Sequence, residues 1–154
     1  MFITILQIGK TKHQFVSEAE TEYLKRLFPF AKVDQNTLKE GKSQTNIALT
    51  KEEESKTLIE HLPKDSFIIA LDETGKNFTS REFADQIRKI RDFQGGKITF
   101  IIGGPFGLAD SIKSKANLLL SFSKLTFTHE MIRMLLLEQL YRAFTIISNK
   151  TYHY

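Results

Sequence analysis

Apolar stretches bounded by turn residues divide the chain into regular elements. Continuous apolar runs of about four to eight residues, rich in β-branched side chains, are typical of strands buried on both faces of a sheet. Four stretches have this character, and a fifth, at 31–38, is weaker. The sequence therefore predicts five strands, over 2–8, 31–38, 66–71, 98–102 and 117–121.

Between the strands, apolar residues recur at the three- and four-residue spacing of a helix. Thr50 with Glu53 three residues later predicts a capping box at one helix start, and Thr79 or Ser80 caps the next helix. A charged turn is predicted over 72–77. Strands that alternate with helices indicate an α/β fold, with a parallel sheet covered by helices on both faces. Other helices are predicted over 13–30, 108–115 and 129–147, and all elements form one domain, 1–154.

Composition excludes several classes of protein. The chain has 154 residues, of which 41% are hydrophobic and 26% charged, as in a single globular domain. Cysteine is absent and the four histidines are scattered, so no disulfide and no metal site is predicted. No apolar run approaches the roughly 20 residues that span a bilayer, and no signal peptide is evident, which favours a cytoplasmic protein without membrane contact.

The net charge of +4 lies in one part of the chain. Residues 1–63 are neutral, with nine basic and nine acidic residues, whereas residues 64–154 hold thirteen basic and nine acidic residues. A basic half suits a polyanionic partner such as RNA, although ordinary surface charge would give the same count.

Three predicted strands are followed by segments suited to binding a ligand. These segments are 71–75 (LDETG), 102–107 (IGGPFG) and 121–126 (SFSKLT). In parallel sheets, ligands bind beyond the carboxyl ends of the strands, and glycines there let a ligand approach the backbone. The glycine pattern by itself is weak, because a plain turn explains it better. A Rossmann-like nucleotide-binding domain is disfavoured, since no acidic residue follows at the required offset.

The last predicted helix is apolar nearly all round, which indicates a second copy of the chain as its cover. Charged residues in such a helix must be paired or face a cleft. For Arg133 and Arg142 the alternative to a functional role is a salt bridge involving Glu138. The tail residues Tyr152 and His153 suit stacking and proton transfer on RNA, or form a frayed terminus.

Taken together, these motifs resemble the ribosomal RNA large subunit methyltransferase H family over the whole chain. The matching segments are 71–76 (LDETGK), 100–107 (FIIGGPFG), 120–129 (LSFSKLTFTH), 133–143 (RMLLLEQLYRA) and 152–153 (YH). The resemblance implies the SPOUT class, an α/β fold with a trefoil knot at its carboxyl end. It also implies S-adenosylmethionine as cofactor, a homodimer, and methylation of N3 of a pseudouridine in large-subunit (23S) ribosomal RNA within ribosomal particles.

Carried over position by position, the resemblance implies cofactor contacts at the three strand ends. Two departures stand out: Thr128 replaces a proline usual in relatives, and Tyr154 stands where a basic residue usually ends the tail. Lys150 is a candidate to compensate for that missing charge. The implied cofactor contacts are Leu71, Gly103, Gly104, Phe122, Ser123, Lys124, Leu125, Thr126 and Phe127.

Methylation of a uracil N3 requires loss of its proton, so a base or a stabilising cation should help. We expect His153 or His129 to assist proton removal, with water as the alternative base. Arg133 or Arg142 would stabilise the ring anion or hold a phosphate. Two other functions remain open: a non-catalytic RNA-binding protein of the same fold, and a methyltransferase of this class with another RNA target, such as a tRNA ribose.

Overall fold

All five predicted strands are present in one sheet. The structure is a computed structural model that describes residues 1–43 and 45–151. Strand boundaries agree with the sequence prediction to within one residue, except at the end of the third strand. The strands are β1 (Phe2–Ile8), β2 (Lys32–Leu38), β3 (Phe67–Asn77), β4 (Lys97–Ile102) and β5 (Leu118–Ser121).

The sheet is parallel throughout, with the order β2-β1-β4-β3-β5. β1 lies inside the sheet, where Phe2 pairs with Lys32 of β2 on one side and with Lys97 of β4 on the other. Because parallel strands end at the same edge, the carboxyl ends of β3, β4 and β5 lie side by side. The predicted parallel α/β architecture is confirmed.

Helices cover both faces of the sheet, which explains why the strands are apolar on both sides. In β1, Ile3 and Ile5 pack with the helices of one face, whereas Leu6 and Ile8 pack on the other. α1, α3 and α5 lie on the first face, and α2 and α4 lie on the second. The helices are α1 (Gln14–Leu27), α2 (Ile47–Glu60), α3 (Ser80–Phe93), α4 (Asp110–Lys113) and α5 (His129–Ile147).

One predicted helix start is confirmed and one is wrong. Thr79 caps α3, with Glu82 completing a capping box. α2 begins earlier than expected, because the Asn46 side chain accepts a hydrogen bond from the Leu49 amide and caps the helix there. Thr50 is buried inside the first turns, and its hydroxyl donates to the Asn46 carbonyl at 2.9 Å. Both residues are good caps by type, so type alone did not identify the right one.

α5 has the predicted bounds, whereas α1 and α4 are shorter than predicted. α1 ends at Leu27, before Pro29, whose ring does not fit a helix interior. α4 is a single turn that starts without a side-chain cap. Within 1–43 and 45–151, no helix combines the length and the apolar character needed to cross a membrane.

The turn predicted over 72–77 is instead part of β3. The pairing of β3 with β5 shifts register between Leu71 and Lys76, both of which pair with Leu120. Residues 72–75 are therefore extra to the ladder and bulge away from it. Gly75 permits this, because a Cβ there would lie 2.7 Å from the backbone of β5 at Leu119 and Leu120.

Candidate functional site

A cavity of about 610 Å³ opens at the carboxyl ends of β3, β4 and β5. Its walls come from residues 71–74 at the bulge of β3, from 102–108 at the end of β4 and beyond it, and from 120–123 and 125–130 between the end of β5 and the start of α5. The structure thus brings together the three segments that the sequence singled out. Three further residues complete the lining. Lys51 belongs to α2 and Lys113 to α4, and His13 lies in the connection between β1 and α1.

The segment after β4 makes a tight turn against the cavity. The Gly107 amide donates to the Gly104 carbonyl at 3.0 Å, and Gly107 has a φ of 78°, which favours glycine. Gly103 is buried beneath this turn, and Phe106 is 40% exposed beside it. The wall here is largely backbone, which allows a flat ligand to lie close to the chain.

The segment after β5 is held by its own hydroxyl groups. Ser121 Oγ donates to the Ser123 carbonyl at 2.8 Å, and the Leu125 amide donates to Ser123 Oγ at 2.9 Å. Thr126 Oγ1 donates to Glu73 Oε2 at 3.1 Å, which ties this segment to the bulge of β3. Phe127 lines the cavity and is 38% exposed. These bonds give the loop a defined shape.

An ion pair forms part of the cavity wall. Lys113 Nζ lies 2.6 Å from Asp72 Oδ2, and the side chains are 22% and 8% exposed. The other carboxylate oxygen of Asp72 accepts from the amide and hydroxyl of Thr74, at 3.0 and 2.5 Å. Burial opposes the charged form of Asp72, but the bonds from Lys113 and Thr74 outweigh burial and lower the pKa of this carboxyl.

The start of α5 carries a buried carboxylate and a histidine. Glu130 Oε2 accepts from the amides of Lys12 and His13 at 3.0 and 3.1 Å, and lies 3.0 Å from His13 Nδ1. Burial would raise the pKa of Glu130, but these hydrogen bonds lower it to about 2. His129 lines the cavity; burial and then the charge of Arg133 lower the pKa of its imidazole. At neutral pH this imidazole is therefore uncharged and can accept a proton.

The two arginines considered for catalysis lie outside the cavity lining. Arg133 is 1% exposed; its guanidinium donates to the Ile8 carbonyl at 2.5 Å and to Thr11 Oγ1 at 3.0 Å. Arg142 forms the salt bridge with Glu138 that the sequence left open, at 2.8 Å along α5.

Of the predicted cofactor contacts, all but Lys124 line the cavity. His153 and its neighbour Tyr152 lie outside the described residues. The sequence placed Asp72 in a segment suited to ligand binding but gave it no role, and it missed Lys113 and Glu130 as residues of the site. Asp72 had a signal, as the first charged residue after an apolar strand; Lys113 had none, because its partner is distant in the sequence. No cluster of three or more potential metal ligands occurs in the described part of the chain.

Comparison with known protein families gives the class to which this fold and cavity belong. A family model described as "Predicted SPOUT methyltransferase" matches residues 1–153, and the chain belongs to this family.

Among individual proteins, the chain is 44% identical to Ribosomal RNA large subunit methyltransferase H of Desulfotalea psychrophila, over 149 residues that cover 97% of each chain. It is 42% identical over 158 residues to the protein of that name from Clostridium botulinum strain Kyoto, covering 99% of each chain.

A solved structure supports the fold. The structure of a probable methylase family protein from Haemophilus influenzae Rd KW20 matches with a TM-score of 0.52 and 15% identity, over 96% of this chain and 66% of that chain. At this level of identity the match concerns the fold alone.

Proposed function

We propose that the protein transfers a methyl group from S-adenosylmethionine to N3 of a pseudouridine in large-subunit ribosomal RNA. The observation that carries this proposal is the cavity that segments of three adjacent strands form around a glycine-containing turn. It occurs in a chain 44% identical to a ribosomal RNA methyltransferase over nearly its whole length. The reaction would take place in the cytoplasm, on RNA in ribosomal particles.

The cavity fits the proposed cofactor in size and chemistry. Its volume of about 610 Å³ is in the range of sites for nucleoside-sized ligands. Leu71, Gly103, Gly104 and the segment 122–127 would hold the adenosyl part through backbone amides and carbonyls. When bound, S-adenosylmethionine supplies a methyl group on a positively charged sulfur, which is reactive toward a nitrogen nucleophile.

The chain's own contribution to the reaction is positioning and proton handling. The ordered walls align the target nitrogen with the methyl group, which lowers the entropic part of the barrier. His129 lines the cavity with a depressed pKa, so its neutral imidazole can take the N3 proton. His153 is the second candidate base and water the third.

The two arginines have different proposed roles. Arg142, half-buried on α5, stabilises the ring anion or holds an RNA phosphate. Arg133 is enclosed and bonds to the Ile8 carbonyl, so it supports the site through the segment between β1 and α1.

A homodimer is part of the proposal. α5 keeps half-exposed apolar side chains, including Met134 and Leu135, and Phe28, at the end of the neighbouring helix α1, is 85% exposed. A second copy would remove these groups from water, and a two-fold pair is the commonest way to do so. The trefoil knot implied by the SPOUT class likewise stays a prediction. Sedimentation analysis of the purified protein tests the dimer directly.

Methyl transfer and cofactor binding test the function together. We expect incorporation of labelled methyl from S-adenosylmethionine into 70S particles or large subunits, and calorimetric binding of the cofactor. RNA binding without incorporation would indicate the non-catalytic alternative. Mass analysis of RNA from a strain lacking the gene would identify another target, such as a tRNA, if the missing methyl group lies there.

Variants test the residue roles. His129→Ala and His153→Ala should slow methyl transfer and alter its pH profile, and unchanged rate and profile in both would remove histidine from the mechanism. Arg142→Ala should reduce RNA methylation much more than cofactor binding. Equal loss of both would instead indicate a structural role.

A further inference from the structure

The ion pair between Asp72 and Lys113 has no role in the function proposed so far. Both side chains are largely withdrawn from water, yet they line the cavity. A buried ion pair contributes little net stability, because desolvation of the two charges offsets their attraction. Its position on the wall of a ligand cavity therefore needs a different explanation from fold stability.

The hydrogen-bonding capacity of the pair is unequal. Asp72 uses one oxygen for Thr74 and the other for Lys113, so both of its oxygens already have partners. An ammonium group has three N–H donors, and the bond to Asp72 uses one. The Lys113 ammonium group, held in place by Asp72, thus has two N–H donors left for a ligand in the cavity. Asp72 holds the direction of that cation.

The other acidic groups of the wall are engaged elsewhere. Glu130 accepts bonds from the Lys12 and His13 segment, and Glu73 accepts from Thr126. Lys51 of α2 is the second lysine of the lining. A ligand group that suits this wall near Lys113 is an anion with two oxygen acceptors, which a carboxylate provides.

We propose that Lys113, held by Asp72, binds the α-carboxylate at the amino-acid end of S-adenosylmethionine. This inference rests on the proposed function and adds a subsite to it. Of the cofactor's adenine, ribose, sulfonium, ammonium and carboxylate groups, only the carboxylate is negatively charged. Lys113 thereby distinguishes the intact cofactor from analogues that lack this group, and Asp72 is a positioning residue.

The test compares two ligands that differ only in the carboxylate: S-adenosylmethionine and its decarboxylated form. Calorimetry gives the ratio of their dissociation constants for the full chain and its variants. We expect the wild type to favour the intact cofactor by about tenfold or more, as for a charge-assisted hydrogen bond. Lys113→Met should bring the ratio close to one, and Lys113→Arg should restore part of the preference.

The matched control is Lys115→Met, which removes the same charge from an exposed residue two positions away and outside the cavity lining. This variant should keep the wild-type ratio. A ratio of ligands is insensitive to a general loss of folded protein, so reduced stability of Lys113→Met would not imitate the effect. Asp72→Asn should give an intermediate ratio.

The outcomes separate the inference from the proposed function. A wild type that binds both ligands equally, or a Lys113→Met variant that keeps the full preference, overturns the subsite. Loss of the preference in Lys51→Met but not in Lys113→Met does the same and assigns the carboxylate to α2. A wild type that binds neither ligand contradicts the proposed function itself.

Discussion

Glu130 makes a testable link between the start of α5 and the β1–α1 connection. Its carboxylate accepts hydrogen bonds from the amides of Lys12 and His13 and contacts the His13 ring. The Glu130 side chain is only 6% exposed. Replacement by glutamine keeps the size of the side chain but removes the charge. Because all of these contacts are made by one oxygen, Oε2, the amide oxygen of glutamine can still accept from the two backbone amides, and the substitution tests the charge.

The magnitude follows from the pKa of this carboxyl, which the fold lowers from 4.5 to about 2. The ionised form therefore stabilises the folded protein by at most about 3 kcal/mol at neutral pH. Since the folded pKa is depressed, this contribution is complete above about pH 5 and is lost as pH falls toward 2. More than half of it should be lost by about pH 3.

Urea unfolding followed by circular dichroism, at intervals from pH 7 to pH 3, measures this contribution. Glu130→Gln should be about 2 to 3 kcal/mol less stable than wild type at pH 7, and the difference should shrink steadily toward pH 3. Glu60→Gln removes the same charge from an exposed position on α2 and serves as the control. Parallel pH profiles for wild type and Glu130→Gln would refute the reasoning.

Three further substitutions test separate contacts by urea unfolding. Gly75→Ala places a Cβ 2.7 Å from the backbone at Leu120 and should cost about 1 to 3 kcal/mol. Arg133→Met leaves the buried Ile8 carbonyl without its guanidinium partner and should cost about 1 to 3 kcal/mol, with faster amide exchange in residues 9–13. Asn46→Ala removes the cap of α2 and should cost about 1 kcal/mol. Unchanged stability in any variant would contradict the contact it tests.

Local patterns in the sequence predicted most elements of the fold. β1 and β4 are continuous apolar runs, and the structure buries both between two helical layers. α5 has its predicted bounds, because Thr128 caps it and its apolar residues continue to Ile147. The order of the strands was not predictable in this way, since the pairing of β1 with β4 depends on contacts far apart in the sequence.

Only those parts of the candidate site that are contiguous segments next to a strand were predictable from the sequence. The segments after the third, fourth and fifth predicted strands could be assigned to one edge because parallel strands share their direction. The pairing of Asp72 with Lys113 could not, because it depends on how α4 packs against the bulge of β3. Likewise, Arg133 in an apolar helix indicated a partner, but the backbone carbonyl of Ile8 has no signature in the sequence.

The position of β1 between β2 and β4 has a consequence for synthesis on the ribosome. β1 is made before the other four strands, yet one of its edges stays unpaired until residues 97–102 have been made. Until then an apolar strand with free amides and carbonyls is exposed to other nascent chains, a situation that promotes aggregation. Stalled or truncated products that end before β4 should therefore depend on chaperones to stay soluble.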